Sequence, residues 1–160
     1  MSISSQELKK IRQKHNLSRV QMSYIMRMSF ESYEIREKDL IPVTEQEEKF
    51  LREFFDISQQ EKIVETEEYK EILEKYPRRY KIAPVLTIGD KFLLFRLYHF
   101  FSAVQMARIF CIPLTDYLEL ELDIRKPDDG ILNVFCDFFG NAARNVLLTE
   151  IPPDILDEIV

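Results

Sequence analysis

The chain has 160 residues, a formal charge of −6, twelve phenylalanines, three glycines and no tryptophan. That length suits one mid-sized domain or two small ones. So few glycines weigh against β-hairpins, dinucleotide-binding turns and phosphate loops, which need positive φ or close backbone approach. An all-α protein with short connections is expected. Net acidity counts against a nucleic-acid partner, but the charge is uneven: residues 1–40 hold eight basic side chains against five acidic ones, and the acid lies later.

The opening MSISSQELKK is polar and does not read as a secretory leader, so a cytoplasmic protein is expected. Ser4-x-x-Glu7 then opens a first helix, Ser18-x-x-Gln21 a second and Thr44-x-x-Glu47 a fourth, each a capping-box pattern. Leu8 and Ile11, then Val20, Met22, Ile25 and Met26, supply apolar helical spacings. Ser29 caps a third helix over Phe30–Lys38, and Phe50, Leu51, Phe54 and Phe55 line the inner face of the fourth. An acidic segment follows, with a helix expected over Glu67–Tyr76 and a connector broken by Pro77 and Pro84.

The most apolar stretch, Phe92–Leu114, carries Arg96, His99, Gln105 and Arg108, which excludes it as a membrane span. Cys111 and Cys136 lack CxxC spacing and fall inside apolar helical patterns, so buried thiols in a reducing compartment are expected. A helix over Ala142–Leu148 and a short one in DILDEIV, restarted by Pro152-Pro153, end the chain.

LSRVQMSYIM from Leu17 and FSAVQMARIF from Phe101 are the same sentence written twice, 84 residues apart. The offset extends without a gap. It pairs Leu8 with Phe92, Ile11 with Phe95, Arg12 with Arg96, His15 with His99, Tyr33 with Tyr117, Glu37 with Glu121, Leu40 with Ile124, and Phe54-Phe55 with Phe138-Phe139. Core positions kept in four successive helices indicate an internal repeat. The expected organisation is a domain at 1–60, an acidic helical linker at 61–88 and a second, degenerate domain at 89–160.

LKKIRQKHNLSRVQMSYIMRMSFESYEIREKDLIP resembles the lambda repressor/Cro-type, or XRE, helix-turn-helix family. Leu8, Arg12, Leu17, Ser18, Ser29 and Glu37 fall on the family pattern, Ser23 takes the small position where helices two and three cross, and Met28 and Tyr33 take buried positions. The tail SYEIREKDLIP also looks like such modules in antitoxins. The resemblance covers residues 5–57, and 89–141 only through the repeat. It implies two tandem repressor-like bundles and a sequence-specific DNA-binding regulator, non-enzymatic and homodimeric, that needs no cofactor. Its partner would be double-stranded operator DNA, bound through the first repeat, with the second repeat open to a protein partner.

By that resemblance Arg19 and Arg27 would contact phosphates, Ser29, Phe30, Glu31 and Ser32 would face the groove, and Arg36 and Lys38 would complete the surface. Three departures stand out: Arg27 replaces the turn glycine, Arg19 replaces a glutamine that commonly touches phosphate or base, and Glu31 and Glu34 put acid on the groove-facing helix. In the second copy Pro113 replaces the cap serine, while Leu114, Asp116, Leu118, Glu119 and Leu120 make its third helix acidic and leucine-rich, an expected interaction face. The rival expectation is therefore a protein-interaction module on a duplicated scaffold. Arg12 and Arg96 are expected to pair with Glu37 and Glu121, and His15 and His99 to cap helix ends. No metal-ligand spacing and no Ser/His/Asp, GxSxG, HExxH or phosphate-loop pattern occurs.

Overall fold

Hydroxyl caps set where the first helices begin. A computed structural model of the protein describes residues 3–55 and 87–148. In it, α1 spans Ser5–Lys14, α2 Arg19–Ile25, α3 Phe30–Glu37 and α4 Glu45–Phe55. Ser4 Oγ accepts from Glu7 N–H at 3.1 Å, and Ser29 Oγ from Ser32 N–H at 3.1 Å. At α2 the box is reciprocal: Gln21 N–H donates to Ser18 Oγ, and Ser18 N–H to Gln21 Oε1 at 2.9 Å. Each such cap is worth about 1 kcal/mol. Thr44 accepts from Glu47 N–H at 3.2 Å, but the Glu47 carboxylate turns to Arg36, whose Nε donates to it at 2.6 and 2.9 Å.

The chain divides into two units, Met1–Ser58 and Gln59–Val160. In the first, α3 packs on α1 and α2, and Leu8, Met22 and Tyr33 are completely enclosed, with Leu17, Ile25, Leu51 and Phe54 around them. His15 ends α1 and sets its ring 5.0 Å from that of Phe55. Val20 corrects the sequence expectation, being exposed. Met22, Ile25 and Met26 lie at i, i+3 and i+4 and share a face. Val20, two residues before Met22, is turned about 200° away by the 3.6-residue repeat.

In the second unit α5 spans Ile88–Tyr98, α6 Ala103–Phe110, α7 Leu114–Glu121, α8 Asp129–Phe139 and α9 Asn141–Leu148. Thr87 with Asp90, and Ser102 with Gln105, form reciprocal boxes. Pro113 opens α7 without a side-chain cap. Phe92 meets Phe110, Tyr117 and Phe135 edge-on at 5.5–6.4 Å, making an aromatic core. The expected helix at Ala142–Leu148 is present as α9, which packs on α8 and α5.

All the regular structure among the described residues is helical; no strand occurs there. The 84-residue offset reaches the backbone. α3 and α7, and α4 and α8, begin and end at equivalent positions. Left-handed residues fall in pairs: Asn16 and Phe100 (φ 52° and 54°), Arg27 and Cys111 (55° and 56°), Asp39 and Asp123 (63° and 62°). Turn hydrogen bonds also recur, Met28 N to Ser23 O at 3.0 Å matching Ile112 N to Ala107 O at 3.0 Å. The expected helices at Glu67–Tyr76 and in DILDEIV, and the connector with Pro77 and Pro84, lie outside the described residues.

Two further expectations are corrected. Cys111 is exposed and Cys136 half-buried: Cys111 is the left-handed C-cap of α6 rather than a position inside it, so its side chain projects from the turn. Leu118 and Leu120 are core, not interaction face. Both replace charged residues of the first repeat, Glu34 and Arg36, and α7 packs tightly on α5 and α6. Gly89 permits that approach: a Cβ there would stand 2.2 Å from Glu121 O. Its N–H donates to Asp123 Oδ1 at 2.8 Å, tying the start of α5 to the turn after α7.

Candidate nucleic-acid interface

A buried carboxylate organises the first unit. Arg12 Nε and one Nη of the same guanidinium donate to Glu37 Oε2 and Oε1 at 3.0 and 2.8 Å, and its other Nη donates to Leu17 O at 3.1 Å. Tyr33 Oη donates to Glu37 Oε2 at 2.5 Å. Burial alone would raise the Glu37 pKa, but the hydrogen bonds from Arg12 and Tyr33 outweigh it and hold the carboxyl below the usual 4.5. The bond to Glu37 raises the Arg12 guanidinium further, against its own partial burial. Burial, and then Glu37, push the Tyr33 phenol well above its ordinary value. This cluster locks α3 to α1 and fixes which face of α3 points outward. Arg96 repeats the arginine arm of the cluster on Glu121, donating at 3.0 Å to each carboxylate oxygen and at 3.2 Å to Phe101 O.

The sequence-derived candidates divide on this frame. Ser29, Phe30 and Glu31 are exposed at the start of α3. Ser32 is half-buried, and its Oγ accepts from Ser29 Oγ at 2.9 Å. Arg27 is exposed in the left-handed turn between α2 and α3. Arg19 opens α2 and reaches Glu37 Oε1 at 3.4 Å, the longest contact that carboxylate makes, with 44% of its side chain exposed. Arg36 belongs to the scaffold: besides Glu47, it donates to Ser32 O at 2.7 Å and is only 16% exposed. Lys38 pairs with Glu34 one turn back along α3.

Sequence reasoning missed the Arg36–Glu47 clamp between α3 and α4. Its only trace was a capping-box glutamate opposite an arginine eleven residues earlier. The third partner of Glu37 was equally hidden, since Arg19 lies 18 residues away. On the equivalent surface of the second unit, Arg125 is held by Glu119 at 3.1 Å and by Asp116 at 3.4 Å, and Ala103, which is buried, stands where Arg19 does.

Among the described residues no helix is long and apolar enough to cross a membrane, and no group of three His, Cys, Asp or Glu side chains could hold a metal ion. Comparison of the chain with family models, curated proteins and solved structures finds no match.

Proposed function

We propose that the two units are diverged copies of a repressor-type helix-turn-helix and that the first binds duplex DNA, making the protein a non-enzymatic transcriptional regulator of repressor or antitoxin type, acting in the cytoplasm. The observation that carries the reading is the outer surface of α3. Ser29, Phe30 and Glu31 are exposed at its start, Arg19 and Arg27 flank it at the two ends of α2, and the Glu37 cluster holds it in orientation. A helix presented in this way fits a major groove, with the arginines on phosphates and the small polar residues and Glu31 near base edges. Phe30 would offer an apolar contact to a thymine methyl.

A second reading has its own support. Arg19, Arg36 and Lys38 already face Glu37, Glu47 and Glu34, which weakens their pull on phosphate. A surface of that kind also suits a protein partner, and the antitoxin alternative rests on it. Titration of the full chain with the duplex upstream of its own gene, and with an unrelated duplex, at two salt concentrations separates the two. The DNA reading expects tighter binding to its own duplex. It also expects a shallow salt slope, about −2 for two phosphate contacts. Failure to bind either duplex would put the protein-interaction reading first.

A further inference from the structure

Three exposed positions at the corner between α5 and α6 carry large apolar side chains: Leu97 is 42%, Tyr98 51% and Phe100 68% accessible. The same corner of the first unit is polar, with Gln13, Lys14 and Asn16 at the equivalent positions, all exposed. The fold therefore does not need apolar groups there. Phe100 even works against the local backbone. It sits at φ 54°, where the first unit has asparagine at φ 52°, and a bulky L-residue is disfavoured in that region while asparagine tolerates it. An apolar cluster kept at a backbone cost, on a surface that folding leaves in water, marks an interaction site.

We propose that Leu97, Tyr98 and Phe100 form a self-association surface that pairs two copies of this chain about a twofold axis. Charge favours a second copy over a charged partner. From Leu97 to Ser102 there is no carboxylate, lysine or arginine, and the one imidazole, of His99, is buried. Two chains of charge −6 repel each other least where both are uncharged, and an isologous contact sets like against like. A basic partner would be drawn to the carboxylates elsewhere instead. Area sets the strength. At about 150–250 Å² for a whole aromatic side chain, the accessible parts of Tyr98 and Phe100, with a smaller share from Leu97, come to roughly 300 Å² per copy. The pair then buries roughly 600 Å², below the 1,200–2,000 Å² or so of stable complexes. The pairing is weak and concentration-dependent.

Sedimentation of the full chain, without DNA, from low to several hundred micromolar tests this. The wild-type average mass should rise from 19.2 kDa towards twice that value with concentration. The variant Leu97→Gln/Tyr98→Lys/Phe100→Asn, which writes the first unit's corner into the second, should remain a monomer with unchanged helical content. Should the triple variant lose helical signal, Tyr98→Lys alone decides, moving the onset of association at least tenfold upward. Leu40→Gln, at an exposed leucine of the first unit, should leave association as it was. A wild type that stays monomeric throughout would overturn the proposal. So would a folded variant that associates like the wild type, or an equal loss in Leu40→Gln.

Discussion

Glu37 lies 4% exposed between two arginines and a tyrosine, so its replacement is expected to be expensive. Glu37→Gln leaves the Arg12 guanidinium without its counter-charge and should lower unfolding free energy by about 3 kcal/mol, typical of breaking a buried pair from one side. The pH dependence has a definite sign. Glu37 is held below the usual 4.5, so on acidification the unfolded chain takes up this proton first. Its contribution is complete above that value and is lost as pH falls through the lower folded value. Urea midpoints should drop more steeply below the usual carboxylate range in the wild type than in Glu37→Gln; parallel curves would contradict the assignment. Glycines give a second contrast. Gly89→Ala drives a Cβ against Glu121 O and should cost about 1–3 kcal/mol as overpacking. Gly130→Ala, whose Cβ would meet only the side-chain oxygen Asp128 Oδ1 at 3.3 Å, should change stability in calorimetry by less than Gly89→Ala, because a side chain yields where the Glu121 backbone does not.

At the scale of elements, the left-handed turns of the two units offer the clearest test of shared geometry. Cys111 closes α6 at φ 56°, a conformation that costs a side-chain-bearing residue about 1 kcal/mol or more and glycine almost nothing. Cys111→Gly should raise the melting temperature by a few degrees; a lower one would place that residue in another conformation. Much of this level was legible in the sequence. Ser18 with Gln21 marked a helix start, because a capping box is local chemistry, and the arginine–glutamate pairs were expected from the family resemblance. What escaped depends on three-dimensional approach. No periodicity distinguishes Leu118 and Leu120 as core from the same residues as an outer stripe, and Cys111 looked helical because one residue separates a last turn from its cap. Arg36 read as a surface cation until α4 brought Glu47 against it. The candidate interface was legible as a set of positions, but not in which cations the scaffold had already engaged.

At the scale of the whole molecule, the two units are unlike in their surfaces. The first unit keeps an α3 start with exposed serine, phenylalanine and glutamate and arginines on either side. The second has a buried Ala103 where Arg19 stands, no arginine at Cys111, and carboxylates at Asp116 and Glu119 that hold Arg125. The measurement that tests this division most directly is a titration of two double variants against the duplex upstream of the gene, each at two salt concentrations. Arg19→Ala/Arg27→Ala should weaken binding to all sequences and reduce the salt slope by roughly one unit per lost phosphate contact. Arg108→Ala/Arg125→Ala should leave both affinity and slope almost unaltered. Equal losses from the two variants would contradict the account, because they would make both units readers of DNA.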